Sequence, residues 1–384
     1  MTNRARALAV LRYEDYDRLP IVHFGYWRET LQKWAAEGHI PEALVKAHGD
    51  GKPADYELNA LLGWDFNWQC MFSPNVGLVP GFERKVLKTL DDGTQHILNH
   101  NGVVICQKPG AGSIPAEISH TLTDRKSWNE QYKYRYQWSE ARVTKAKVLA
   151  NNTMIPFGEG GCEFLQRNER DYMYGLFCGS LFGNIRNIIG VEGSSYMYCD
   201  DEDLYDEIID TNAELCFQNV KYVLETGAKF DFAHFWEDIC FKNGPLVIPD
   251  VFAEKVGPHY KRITDLLSQY DIDIVSLDCD GWIDSLIPTW LENGVNTMFP
   301  IEVGTWDASI APWREQYGKA LRGVGGMNKT VFAKDHAAID AEVERLKDLV
   351  QLGGYIPCPD HRIAPDATWE LVKYYCERMR ETFV

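Results

Sequence analysis

No apolar run in this 384-residue chain approaches the roughly 18 residues that a membrane span needs. No signal-peptide pattern opens it, because Met1-Thr2-Asn3-Arg4-Ala5-Arg6 leads straight into an amphipathic, helix-like segment. None of the 10 cysteines forms a Cys-x-x-Cys pair, which removes zinc-ribbon and thioredoxin-type readings. There is no Gly/Ser linker, low-complexity tract or internal repeat. Phosphate-loop and dinucleotide fingerprints are also missing; Gly158-Glu159-Gly160-Gly161-Cys162 is glycine-rich but wrongly spaced. Positive charge is scarce. Lys and Arg total 39 against 56 Asp and Glu, a net charge of -17 with a pI near 5.1. This argues against nonspecific nucleic-acid or anionic-membrane binding, which needs a basic face. We expect a cytoplasmic protein with reduced thiols, and no nucleic-acid or membrane partner.

What is present supports a large core: 45% of residues are hydrophobic and 25% charged. Residues 2–17 read as a helix and Leu19 to Gly25 as the first strand. Residues 28–62 look helical with a break near Gly51-Lys52-Pro53, and Trp64 to Phe72 is a second apolar run. Residues 83–106 alternate in period 2 about Asp91-Asp92-Gly93, the signature of a β-hairpin insertion. From residue 129 the rhythm is helix then strand. Helix 129–150 precedes Thr153 to Gly158. Helices near 168–189 and 201–227 precede Phe230 to Phe235. Helix 251–270 precedes Ile272 to Leu277, and 282–294 precedes Asn296 to Ile301. Segment 307–320 precedes Leu321 to Gly326, and helix 336–352 precedes Tyr355 to Cys358. About eight strands alternating with helices predict parallel βαβ units. The expected fold is α/β, a single-domain (β/α)8 TIM barrel spanning 1–384, with a doubly wound open sheet as the other architecture.

Several apolar runs end in acids or histidines, where a barrel collects catalytic groups. Asp278 and Asp280 stand two apart, so alternation points both into the mouth; the competing reading is that both cap the next helix. Glu302 follows Met298-Phe299-Pro300-Ile301, and its competing role is a salt bridge to Arg314 or Arg322. His361 follows Asp360, which either orients it or is a loop residue. Cys279 and Cys358 offer thiolates but are more often small buried fillers. His234 and Glu237 flank an aromatic pair and are candidate acid/base groups. Glu159 sits in the glycine-rich turn. Trp27, Trp236 and Trp282 fall near strand ends and are candidate pocket walls, with core packing as the alternative. The Asp, Glu and His set also suits a divalent metal. Zinc comes first, because it accepts His and carboxylate ligands, and another divalent ion fits so oxygen-rich a set.

Nearly the whole chain resembles the uroporphyrinogen decarboxylase superfamily. The likeness rests on Arg18-Leu19-Pro20 with Trp27-Arg28, on Gly179-Ser180-Leu181-Phe182-Gly183-Asn184-Ile185-Arg186, and on Gly190-Val191-Glu192. It continues in Trp236-Glu237-Asp238, Cys279-Asp280-Gly281-Trp282, Phe299-Pro300-Ile301-Glu302 and Gly353-Gly354-Tyr355-Ile356-Pro357. The resemblance implies a single α/β barrel. Cofactor-free uroporphyrinogen decarboxylation would need an arginine-rich N-terminal motif and an aspartate on the second strand. This chain has one arginine in Phe24 to Glu29 and no aspartate in Trp68 to Pro74. The corrinoid-linked O-demethylase branch is the nearer likeness. There Asp278 and Asp280 stand where zinc-dependent members hold His-x-Cys, Glu302 at the acid, and His361 near the final Cys.

The resemblance therefore implies a methyltransferase acting on a methoxylated, aromatic substrate. The methyl acceptor is cobalt(I) of a corrinoid (cobalamin) on a separate partner protein. Asp280, Glu302 and His361 are implied as metal ligands, Asp278 as a further ligand or catalytic group, and His234 or Glu237 as the proton source. Trp27, Glu159, Trp236 and Trp282 would contact the substrate. A homodimer is also allowed for. The alternatives are a metal-free lyase on the same barrel and a noncatalytic tetrapyrrole- or corrinoid-binding protein.

Overall fold

The structure, a computed structural model, describes residues 1–108 and 115–384. The first strands are short: β1 (Val22–His23), β2 (Phe66–Asn67) and β3 (Met71–Phe72). An antiparallel insertion follows, made of β4 (Lys85–Thr89), β5 (Gln95–Leu98), β6 (Val103–Gln107) and β7 (Ala116–His120). A separate hairpin pairs β8 (Lys147–Ala150) with β9 (Thr153–Pro156). The chain then runs through β10 (Gly175–Gly179), β11 (Phe232–Trp236), the small hairpin β12 (Cys240–Phe241) and β13 (Gly244–Pro245), β14 (Val275–Asp278), β15 (Thr297–Ile301), β16 (Arg322–Met327) and β17 (Tyr355–Pro359).

Seven of these strands form one parallel sheet in the order β17-β16-β15-β14-β11-β10-β3. Parallel strands need crossovers, and helices supply them. Glu202–Glu225 is capped by Asp201, whose side chain accepts from Leu204 N, and it leads into β11. His336–Gln351 is capped by Asp335, buries Ile339, Val343 and Leu346, and leads into β17. β1 pairs in parallel with β2, and a parallel bridge joins Tyr26, just after β1, to Ile363, just after β17.

Period-2 alternation divides the core. On β11, Phe232 joins Trp68, Ile274, Phe299, Val324 and Ile356 in one buried cluster. Its neighbours Ala233 and Phe235 join Val275, Leu277 and Met298 in the other, under the long helices. The same rule puts Ser276 and Asp278 on the face of Phe232, His234 and Trp236.

Four expectations are corrected. Thr153 to Gly158 is not a strand of the parallel sheet. β9 folds back on β8 through Asn151 and Asn152, both at positive φ (49° and 59°), the geometry of a type I′ turn. The strand missing from the sequence reading is β10, which lies inside the segment expected to be helix 168–189. Gly175 is required there, because a Cβ would lie 2.5 Å from the Phe232 ring. The 83–106 hairpin is the middle of a four-stranded sheet that extends to His120. The expected helix 129–150 is broken into short turns, Trp128–Tyr132, Lys133–Tyr136 and Ala141–Thr144, followed by β8. Among the described residues no helix is long and apolar enough to cross a membrane.

Candidate active site

The C-terminal ends of the parallel strands surround a cavity of about 500 Å³. Phe24, Trp27, Met71, Phe177 and Trp236 form its apolar walls, and Asp50, Asp238, Asp278, Asp280, His361 and Arg362 its charged lining. A larger cleft of about 1060 Å³ lies towards the strands' N-terminal ends, beside Asp65 and Asp171, and gathers no such cluster.

Asp278 ends β14 opposite Trp236 of β11 and is buried. Gln69 Nε2 donates to its Oδ2 at 2.8 Å. Burial, and then the neighbouring Asp280, push its carboxyl well above the usual carboxylate range. Asp280 Oδ2 meets His361 Nε2 at 3.2 Å. The His361 ring stacks on Trp27, with centroids 5.6 Å apart and planes at 22°, and meets the edge of Phe24. Asp280 Oδ1 and His361 Nδ1 are buried without a partner among the described residues. Asp238 sits at a positive φ of 50° and takes Arg186 Nη2 on its Oδ2 at 3.1 Å. Burial, then Asp280, raises its carboxyl too.

His234 lies deeper. Its Nδ1 is 3.1 Å from Ser276 Oγ, which also accepts from Trp68 Nε1 at 3.1 Å. Its Nε2 has no partner among the described residues. Burial alone pushes the imidazole down to about 3, so it is neutral at physiological pH.

Other expected residues stand elsewhere. Glu237 is fully buried but points away from the cavity lining. Its carboxylate accepts from Leu181 N (2.8 Å), Phe182 N (2.9 Å) and Gly183 N (2.6 Å), from Ser180 Oγ (3.1 Å) and from Tyr260 OH. It anchors the start of helix Gly183–Ile189, and those five donors leave it little capacity for acid/base work. Glu302 Oε2 accepts from Gly281 N at 2.5 Å and Oε1 from Thr305 Oγ1 at 2.9 Å. Burial, then Asp280, raises its pKa. Asp360 holds backbone, Gly304 N at 2.7 Å and Lys329 N at 3.1 Å, rather than orienting His361. Trp282 is 43% exposed on the rim and stacks on Trp306. Glu159 is exposed in the turn after β9 and is not part of the cavity lining. Cys279 faces Ile239 N and Cys358 is packed in the core; burial raises both thiols.

Thus the fold assembles Trp27, His234, Trp236, Asp278, Asp280 and His361 around one cavity, and leaves Glu159, Glu237, Glu302 and Trp282 outside its lining. The sequence reading missed Asp50, Gln69, Asp238 and Arg362. Asp238 and Arg362 each follow a singled-out residue, which was the available signal; Asp50 and Gln69 arrive from non-local segments.

The same geometry tests the metal expectation. Asp280 and His361, touching each other and each with one orphaned atom, fit a ligand pair. Glu302 is turned to Gly281 and Thr305, and among the described residues no three His, Cys, Asp or Glu side chains converge on one point. Zinc centres use three or four protein ligands, so the set stands one short as arranged.

The uroporphyrinogen decarboxylase (URO-D) family profile matches residues 160–382, more than half of the chain, including β10 to β17 and the cavity residues on them. The chain belongs to this family. Comparison with curated proteins gives no match. Among solved structures, a methyltransferase from Methanosarcina mazei aligns over 99% of this chain and 99% of its own, at 15% identity and a TM-score of 0.58. A B12-independent methionine synthase from Shewanella sp., in complex with selenomethionine, aligns over 95% of this chain and 98% of its own, at 11% identity and a TM-score of 0.48. At its identity the first likeness speaks to the URO-D fold alone.

Proposed function

We propose that this URO-D family member is a closed eight-stranded barrel that transfers a methyl group from a methoxylated aromatic compound to the cobalt(I) of a corrinoid on a separate protein. The Tyr26–Ile363 bridge, which ties the first strand to the last, supports closure. One observation carries the functional reading: the mouth is aromatic and acidic. Four aspartates line it against one arginine, which Asp50 already pairs. A tetrapyrrole bearing many carboxylates would be repelled, which disfavours decarboxylation of uroporphyrinogen. A flat aryl ether suits walls of Phe24, Trp27 and Trp236.

The reaction breaks the methyl C–O bond and forms a cobalt–carbon bond on the acceptor. The oxygen departs with the bonding pair and must be stabilised or protonated. Asp278, whose carboxyl is raised well above the usual range by burial and then by Asp280, is the proton donor best placed in the cavity. Neutral His234 offers a hydrogen bond through Nε2 rather than a labile proton. Asp280 and His361 form the polar pair beside it. A divalent metal, zinc first, would use that pair and would polarise the ether oxygen; Glu302 would have to leave Gly281 N to complete the set.

The test is transfer from a methoxyaromatic to reduced cobalamin, followed by absorbance. Asp280→Asn and His361→Ala should each lower the rate at least about 100-fold while leaving the denaturation midpoint nearly unchanged. Wild-type rates in both variants would sink the assignment of this cavity. Zinc analysis of the same preparations decides the metal: both substitutions should strip it, and a metal-free, active wild type would remove it from the proposal.

A further inference from the structure

Arg362 is a cation built into an acidic cavity, and an elaborate scaffold aims it. Its Nη2 donates to Asp50 Oδ2 at 2.6 Å and its Nη1 lies 3.3 Å from Asp50 Oδ1 and 3.5 Å from Tyr26 O. Asp50 is fixed in turn by Asn67 Nδ2 at 3.0 Å, and the same amide donates to Asp55 Oδ2 at 2.9 Å. Asp55 is fully buried beside His48 Nε2, 3.3 Å away. Gly25 leaves the space: a Cβ there would lie 2.4 Å from Asp50 Oδ1 and 2.7 Å from Arg362 Nη1. The guanidinium carbon sits 5.6 Å from the Phe24 ring centroid. Burial opposes its charge, and Asp50 outweighs burial.

One edge of this group is unused. Among the described residues no acceptor takes its Nε–H, and Nε is not among the buried atoms left without a partner, so that edge opens to the cavity. A guanidinium held along one side by a carboxylate, with its other side facing a ligand cavity, is the arrangement that recognises a second carboxylate. We propose that Arg362 binds a single carboxylate of the ligand, and that the substrate is a methoxylated aromatic acid rather than a neutral aryl ether. This rests on the methyl-transfer reading for the methoxy group but not for the carboxylate. One free guanidinium edge matches one anionic group; it does not match a polycarboxylate.

The experiment is equilibrium calorimetry on the full chain, without any methyl acceptor, using 3-methoxybenzoate and anisole. Wild type should bind 3-methoxybenzoate more tightly than anisole. Arg362→Gln should weaken 3-methoxybenzoate at least roughly tenfold and leave anisole within about twofold. Equal weakening of both ligands, unchanged 3-methoxybenzoate affinity, or no binding of it by wild type would each overturn the proposal. If the glutamine variant does not fold, Arg362→Lys, which keeps the charge but loses the planar fork, decides by the same comparison. Because no transfer is measured, arginine-dependent binding without turnover would uphold this inference while overturning the proposed reaction. Turnover of neutral ethers with arginine-independent binding would do the reverse.

Discussion

His234 shows how position governs chemistry at the residue scale. The same imidazole on the surface would be a proton donor near neutrality. Walled in beside Ser276, Phe232 and Phe299, it is neutral down to about 3. In the unfolded chain it titrates near its ordinary 6.5. Between those values the unfolded chain holds a proton that the fold refuses. Stability therefore falls as pH drops from 6.5 towards 3, by about 1.4 kcal/mol per pH unit from this group. Asp278, Glu302 and Glu237 act in the opposite sense: their carboxyls are raised in the fold, so each favours folding as pH falls. The net profile mixes the two, and the difference between wild type and His234→Gln isolates the histidine. Urea denaturation at pH 7 and pH 5 should show wild type losing about 1–2 kcal/mol more than the variant on acidification. Equal losses would show that His234 is not desolvated.

At the element scale, the step from β10 into helix Gly183–Ile189 is held by one carboxylate. Glu237 collects the backbone N–H groups of Leu181, Phe182 and Gly183, which the helix cannot satisfy itself. The contact is so close that a Cβ on Gly183 would lie 1.9 Å from Glu237 O. Gly183→Ala should cost about 3 kcal/mol, read as a lowered urea midpoint, because both sides of the clash are buried backbone. A loss under about 1 kcal/mol would show that the loop yields. The Gly179 to Arg186 segment, part of the family likeness, is thus a structural joint, and Glu237 lies outside the cavity lining; chain order alone does not show which way a side chain after a strand turns. Strands with strong apolar runs and a preceding helix (β11, β14, β15, β16 and β17) were legible from period and punctuation. β10 was not, because Gly175 and Gly179 bound a run of only three residues. β9 looked like a barrel strand because a parallel strand and a hairpin strand share one local pattern; the Asn151-Asn152 turn held the distinction. The acids of β14 and the histidine after β17 were legible as cavity-facing residues because they follow strands. Asp50 and Gln69 were not, because they reach the cavity through non-local packing.

At the scale of the whole molecule, the placement of exposed apolar surface matters more than its amount. Phe241 and Ile248, 61% and 58% exposed, lie on the excursion between β11 and β14, and Trp282, 43% exposed, follows β14. Gly281 packs against the backbone of Cys240 and Phe241, and Trp282 N donates to Phe241 O at 2.9 Å, so these two segments form one rim beside the cavity. Large exposed apolar side chains grouped at a mouth suit contact with a partner protein. The proposed reaction needs such a partner, because the acceptor corrinoid must reach a methyl group held over Asp278 and Asp280. Phe241 and Ile248 are not in the cavity lining, which lets docking be separated from chemistry. The double variant Phe241→Ser, Ile248→Ser should transfer methyl groups to free reduced cobalamin at the wild-type rate. Transfer to a protein-borne corrinoid should fall more than about fivefold, through KM rather than kcat, as expected when rim contacts worth about 1–2 kcal/mol are removed. Equal rates with both acceptors would place the docking surface elsewhere, and equal loss with both would show that the rim shapes the cavity itself.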